Sequence, residues 1–469
     1  VLFVLFTLSM CCNFALEKRN NNMDIKRRFI LTIVLLSYFV TAINGAIVIT
    51  GLTDMAEELG LNQSALSWVQ NAYVLAWGGF MLLGGRLSDT FGRRQILNLA
   101  LVLFGIGSLL AGIAPSAIVL IVSRFIQGIG AAVLAPTSLA LIIDYFKGQE
   151  RVKAVAWYSS ISGLGMCVGL IIGGILASFF SWRYGFFIYL PLILFMLVIS
   201  LKVLPKGVKE NNEIRFDIWG TTYSVLGIFS FVYAINGAKN TWLWLSVALC
   251  FLFLFIRQEK KVSDPIMPLR LFNGIRTRAN IARLLFAGAM MGFYFFISEF
   301  LQEVSHFTPL WVGIAFFPLT LSTFWGAMRV PKAVKLYGNN KTLFAGLTLM
   351  LIGFIGMLKM DAESSYWSGI AIPMLFLGFG QGLVMSPLTN LGILNVQPKD
   401  SGAATGVVNA AHQIGCSVGL SVMVTVSSDA AEMAEICHIA MLVGFGFTLI
   451  VFAIMFLDKY KLKRKIWNM

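Results

Sequence analysis

An all-α integral membrane protein of fourteen spans is the fold class this sequence predicts. Three observations carry it. Apolar runs of about 20 residues, the length that crosses a bilayer, recur along the whole 469-residue chain. Charged residues make up only 12% and mean hydropathy is +0.81, whereas a soluble domain carries about 25% charged residues. Of the 36 Lys and Arg, all but Arg124, Arg183, Lys239 and Lys359 fall at the termini or in every second loop. That alternation places both termini in the cytoplasm of a cell-membrane protein. It also explains the net charge of +14 as topology, so no nucleic-acid partner is expected. Cys167, Cys250 and Cys416 fall inside apolar runs and no CxxC or Cys/His metal spacing occurs, so neither a disulfide framework nor a metal site is expected.

Taken in order, residues 1–22 are an apolar run from Val1 to Leu16 followed by EKRNNN. They are expected to be an extension outside the fold. Lys26, Arg27 and Arg28 precede span 1 at 29–52. Spans follow at 66–84, 95–114, 117–143, 153–178 and 185–204, which gives a first six-helix bundle at 23–204. The basic seam 204–216 leads into spans at 217–236 and 241–257. A second seam at 257–278 leads out of them, so 205–280 is a linker carrying two extra helices. The last six spans, 281–303, 310–329, 341–359, 366–387, 402–427 and 436–457, form a second bundle at 281–458. Residues 459–469 are a basic cytoplasmic tail.

The turn between spans 2 and 3 reads GGRLSDTFGRR. Gly84, Gly85 and Gly92 relieve crowding where two helix ends meet. Asp89 can accept backbone N–H groups or face a helix N-terminus, and Arg86, Arg93 and Arg94 stay on the cytoplasmic side. The loop after span 10 occupies the corresponding place. It keeps Gly338 but has Lys335 where Asp89 would fall. Inside span 4, Arg124 costs about 2.5–3.5 kcal/mol to insert, so it must face the interior. Gln127 shares its face. Gly165, Gly169 and Gly173, spaced by four, line one face of span 5 with Gly174 beside it, and such a face packs closely on a neighbouring helix. Span 2 carries Trp68, Gln70, Asn71 and Tyr73 near its outer end.

The pattern G-x-L-x-D-x-x-G-R-R resembles the signature loop of the major facilitator superfamily. SRFIQGIGAAVLAP around Arg124 resembles the R-x-x-Q-G-x-G-A-A motif of its drug:proton antiporters, and GLGMCVGLIIGGIL in span 5 resembles their antiporter motif. There the family's proline is Leu170. WRYGFFIYLP after span 5 has Tyr189 for the family's asparagine. In span 1 an acidic residue is common, whereas this chain has Asn44. The resemblance covers about residues 25 to 457 and includes DPIMPLRLF, FLQEV and GVVNAAHQIGCSVG. It implies the major facilitator fold, two six-helix bundles plus two extra helices. It also implies a conformational-switch loop at Gly85, Asp89, Gly92, Arg93 and Arg94, with Asp89 reaching the start of span 13 near Ser401 and Gly402.

The expected function is therefore secondary active efflux of amphipathic drugs or cationic compounds, driven by a proton gradient and needing no cofactor. Partners are a small-molecule substrate, protons and the lipid bilayer; nothing points to an obligate protein partner. A metabolite or small-ion carrier, or a transport-inactive receptor or scaffold, are the alternatives on the same fold. No Walker A loop, HExxH or GxSxG motif is present, so an enzyme is not expected. The substrate and coupling pathway is read at Asn44, Asn71, Tyr73, Arg124, Gln127, Glu299, Gln302 and His412. In span 9, Gly292, Phe295, Phe296, Glu299, Gln302 and Glu303 share a broad face. Asn44 cannot titrate, so Glu299 is the expected proton carrier. Asp144 and Asp217 are expected to be solvated at cytoplasmic span ends.

Overall fold

The structure is a computed structural model. It describes residues 22–205, 217–236, 238–262, 265, 267–272, 274–361, 364–396 and 401–467. The 1–21 extension and most of the 204–216 seam lie outside that description. So do the side chains of Arg86, Asp89, Ser401, Gly402 and the 459–469 tail.

The chain is a succession of long helices. In order they are α1 (Asn22–Thr50), α2 (Leu52–Leu59), α3 (Gln63–Phe91), α4 (Arg93–Gly112), α5 (Ala117–Tyr145), α6 (Gly148–Phe179), α7 (Tyr184–Phe187) and α8 (Tyr189–Val203). Next come α9 (Ile218–Ile235) and α10 (Thr241–Lys261), the predicted extra pair. The remainder is α11 (Ile275–Glu303), α12 (Pro309–Ala315), α13 (Phe317–Tyr337), α14 (Asn339–Met357), α15 (Ile372–Gly392), α16 (Ser401–Val426) and α17 (Met433–Trp467). Among the described residues, 12 helical segments are long and apolar enough to cross a membrane. The spans predicted at 66–84 and 153–178 lie in α3 and α6, helices of 29 and 32 residues, whose described side chains are interrupted.

The two halves repeat one packing scheme. In the first, α3 and α4 both pack on α5, and α1 packs on α6. In the second, α13 and α14 both pack on α15, and α11 packs on α16. The turns repeat too. Gly92 joins α3 to α4 with φ 91° and ψ 140°, and Gly338 joins α13 to α14 with φ 83° and ψ 162°. A positive φ of this kind is free only to glycine. The repeat, weak in sequence, is thus explicit in the backbone.

The halves meet along two seams, α3 against α16 and α6 against α12. The extra pair lies over the first. Asn236 at the end of α9 donates to Ser67 Oγ at 2.8 Å, and its carbonyl accepts from Ser64 Oγ at 2.9 Å. Thr425 of α16 donates to Ile235 O. Trp68 packs on Phe229 and Tyr233 of α9, with centroids 5.1 and 6.1 Å apart. Trp68 therefore anchors the extra pair. Asp217 departs from expectation. It is buried, caps α9 by accepting Gly220 N–H at 2.8 Å, and accepts from Gln258 Nε2 at 2.8 Å. Capping an otherwise orphan N–H explains its burial.

Candidate functional site: the Arg124 knot and the seam between the halves

Arg124 is fully buried at the centre of the first half. Its Nε donates to Val69 O at 3.0 Å, and its Nη1 donates to Asn44 Oδ1 and Gln127 Oε1. Gln127 Nε2 in turn donates to Ser108 Oγ at 2.8 Å. The guanidinium lies 4.3 Å from the Tyr73 ring centroid and 5.8 Å from that of Phe186. Five helices are tied at this point, and the sequence-expected Asn44, Tyr73, Arg124 and Gln127 come together. Among the hydrogen bonds to Arg124, no carboxylate appears; carbonyl dipoles and aromatic faces surround the charge. Its Nη2 and the Asn44 Nδ2 are buried with no hydrogen-bond partner.

Asn71 takes a different place. It leaves the knot and crosses the first seam, donating to Ser421 Oγ at 2.9 Å and accepting from Ser417 Oγ at 3.0 Å. Toward the end the sequence assigns to the outside, more bonds cross. Gln63 Nε2 donates to Glu299 Oε2 at 2.7 Å, and Ser298 Oγ donates to Ile49 O at 2.9 Å. Leu310 N donates to Ser178 Oγ at 2.9 Å. These five hydrogen bonds, which join α1–α8 to α11–α17, all lie in this half of the bundle. The seam is shut at that end.

Glu299 is 1% exposed, whereas Glu303, one turn on, is exposed. The two acids that share a face in the sequence are thus separated. Gln302 donates to Ser298 O at 3.1 Å and Ser298 Oγ at 3.2 Å. It steadies the serine that crosses the seam.

The glycine face of α6 is divided. A Cβ on Gly165 or Gly169 would stand 2.7 Å from Ala42 or Ala46 of α1, and one on Gly173 would stand 2.7 Å from Ile47 Cα. Gly174 faces the other way. A Cβ there would stand 2.8 Å from Leu310 Cα across the second seam. The Leu170 carbonyl, at the position of the family's proline, backs onto Gly313. Three glycines therefore pack within the first half, and the fourth lets the halves touch.

At the opposite end, Arg93 Nε pairs with Asp144 Oδ2 at 3.0 Å and Nη1 donates to Ser88 Oγ at 3.1 Å. Arg94 Nη1 donates to Leu204 O at 3.2 Å. The loop straps α3 and α4 to the ends of α5 and α8. Gly85 lies beside Pro136 of α5, its Cβ position 3.6 Å away. The contact expected between Asp89 and the start of α16 lies outside the described side chains.

Sequence reasoning missed Arg283, which it counted with the basic loop before span 9. Arg283 is buried inside α11, donating through Nη1 to Met385 O at 2.9 Å and Thr389 Oγ1 at 3.3 Å. It also missed Gln63 and the two α16 serines, whose polar side chains look like ordinary helix-face residues.

A latch holds the first half at the end where the seam is shut. Glu58 of α2 accepts from Arg183 Nη2 at 2.7 Å and from Trp182 Nε1 at 2.6 Å, while Arg183 also donates to Ala114 O at 2.8 Å. The Arg183 hydrogen bond holds the Glu58 carboxyl below its usual range. Nearby, burial and the charges of Glu57 and Glu58 push the half-buried Asp54 up. A lowered folded value means the Glu58 contribution is present above the ordinary carboxylate range and is lost as pH falls through it. Both partners are partly exposed, so it is worth about 0.2–1 kcal/mol. Glu58→Gln is expected to melt lower than wild type at pH 7 and to converge with it near pH 3. A constant gap across that range would reject the latch.

The sequence profile of the Major Facilitator Superfamily matches residues 34–420. Curated relatives include the puromycin resistance protein pur8 of Streptomyces alboniger, 31% identical over 421 residues, which cover 87% of this chain and 83% of that protein. The cephamycin export protein CmcT of Amycolatopsis lactamdurans is 29% identical over 86% of this chain and 87% of its own length. The multidrug transporter MdtP of Bacillus subtilis is 28% identical over 84% and 73%. In fold, the chain is similar to the nucleoside transporter NupG, with a TM-score of 0.65 and 14% identity over 92% of this chain and 99% of that one. It is also similar to a POT-family peptide transporter, with a TM-score of 0.69 and 13% identity over 92% and 95%. The chain belongs to the Major Facilitator Superfamily and is a multi-pass secondary transporter of small molecules, not an enzyme.

Proposed function

We propose that the chain is a proton-coupled exporter of amphipathic compounds in the cell membrane, with fourteen spans and both termini cytoplasmic. The units are a first bundle at 23–204, the extra pair within 205–280 and a second bundle at 281–458. Relatives whose names record puromycin resistance, cephamycin export and multidrug transport support the class of substrate. The alternating basic loops support the orientation, and α3 and α6 are long enough to supply the two further spans.

The observation that carries the reading is Glu299, a carboxyl buried between the halves and held by Gln63 of the other half. With the outer seam shut, we read this state as the one from which the cytoplasmic side opens. An ionised carboxylate sealed there would need a cation, and its hydrogen-bond partner is a neutral amide. Opening the seam to the outside would break the Gln63 bond and bring Glu299 to water, where it takes up a proton. Closing would carry that proton inward, and substrate would leave on the opposite half-cycle. Alternating access of this kind is rocking of one bundle against the other. Gly174 and Gly313 are contact points on one seam, and Asn71 and Gly78 meet α16 on the other. The Arg124 knot keeps the first bundle rigid as it rocks.

The test is purified protein in proteoliposomes with a panel of anionic and cationic amphipathic dyes and an imposed pH gradient. At least one dye should move against the proton gradient and stop when an uncoupler collapses it. Movement indifferent to the uncoupler would reject proton coupling.

A further inference from the structure

The inner half of the seam holds a second set of buried polar groups. Arg283 is only 2% exposed, yet its Nε has no hydrogen-bond partner. His412 Nδ1 and Trp77 Nε1 are likewise buried without a partner. Packing brings the three to one level. A Cβ on Gly415 would stand 2.7 Å from Leu284 Cα, which fixes Arg283 of α11 within a turn of His412 on α16. A Cβ on Gly78 would stand 2.8 Å from Gln413 Cβ, which brings the adjacent Trp77 of α3 to the same height. Tyr38 of α1 lies within electrostatic reach of Arg283, and its ring stacks on Tyr158 of α6 at 4.1 Å. Both halves contribute.

This set contains a cation held on one side by Met385 O and Thr389 with its Nε unpaired, and an indole N–H without an acceptor, beside a stacked aromatic pair. It has no described carboxylate to compensate it. Glu299 lies 16 residues along the same helix, about 24 Å away. Asp144 is engaged by Arg93, and Asp217 caps α9. Buried donors and buried charge are strongly disfavoured without a partner. Arg presents a planar fork that fits a carboxylate, and indole N–H is a donor only.

We infer that Arg283, His412 and Trp77 seat an acidic group of the transported compound, with Tyr38 and Tyr158 lining the place for its apolar ring. The substrate class is therefore carboxylate-bearing aromatic amphipaths, in place of the cationic compounds expected from the sequence. This rests on the export reading for its biological sense. It is tested by binding alone, without a gradient, so failure of proton coupling would leave it standing.

The probes are two xanthene dyes, fluorescein with a free carboxylate and rhodamine 6G, a cation whose carboxyl is esterified. Fluorescence anisotropy with detergent-purified protein reads the Kd of each. Wild type should bind fluorescein the more tightly. Arg283→Gln should weaken fluorescein by at least about tenfold, as expected when one partner of a buried charge pair is removed, and leave rhodamine 6G unchanged. Arg283→Lys, which keeps the charge, should recover part of the loss and guards against misfolding. Micelles doped with phosphatidylglycerol separate a lipid headgroup from a soluble anion, and fluorescein should stay bound in them. Unchanged fluorescein binding in Arg283→Gln would overturn the assignment. So would a wild-type preference for rhodamine 6G, absent fluorescein binding, or displacement by phosphatidylglycerol.

Discussion

Glu299→Gln is expected to reduce pH-driven transport to the level of empty vesicles while leaving the protein folded. The amide has the shape of the protonated acid and can still accept from Gln63, so the outer seam should close normally. What it lacks is a proton to exchange. Substrate-for-substrate exchange, which needs no net proton movement, should persist. Asp144→Asn is the control. Asp144 pairs with Arg93 in a partly exposed setting, worth at most about 1 kcal/mol, so its loss should change the rate by no more than about fivefold. Full pH-driven activity in Glu299→Gln would move the coupling site elsewhere. The half-buried Asp54, whose carboxyl is pushed up by burial and its acidic neighbours, would then be the first candidate.

Arg124→Gln should have the other large effect, on stability and transport together. The guanidinium supplies the donors for Val69 O, Asn44 Oδ1 and Gln127 Oε1. Each buried acceptor left alone costs about 1–3 kcal/mol, and the three belong to one network, so the costs do not simply add. Arg124→Lys should not restore the wild-type state, because an ammonium cannot reproduce the fork that reaches α1, α3 and α5 at once. Thermal unfolding followed by size-exclusion chromatography reads the first effect and proteoliposome transport the second. Wild-type melting by Arg124→Lys would show that the knot is not structural.

Much of this arrangement is legible in the sequence where one helix carries the signal. Arg124 and Gln127 are one turn apart, so their pairing follows from helical geometry. Gly165, Gly169 and Gly173 recur every fourth residue and indeed share a face. Residues whose role depends on a second helix were harder to read. Gly174 is adjacent to that stripe, yet it faces the other bundle, which no periodicity records. Glu299 and Glu303 share a face, and only the end of α11 explains why one is sealed and the other wet. Arg283 was hidden by its neighbours. It follows a strongly basic loop, and a count of charge by loop assigns it there although α11 begins at Ile275. Asn71 belongs by sequence with Tyr73, but its side chain points across the seam to Ser417 and Ser421. The repeat of the halves was nearly invisible in residue identity, because only the φ at Gly92 and Gly338 and the pairing of helices preserve it.

The central claim is that the protonation of Glu299 and the closing of the outer seam are one event. The most direct test is a pair of spin labels at Ser116 and Ser365, exposed positions at corresponding outer turns of the two halves. Their separation is measured by double electron–electron resonance in lipid nanodiscs at pH 5 and pH 8. The account predicts a short distance at pH 5, a growing population of longer distances at pH 8, and a short distance at both values in Glu299→Gln. A wild-type distance independent of pH, or a Glu299→Gln variant that follows pH as wild type does, would contradict it.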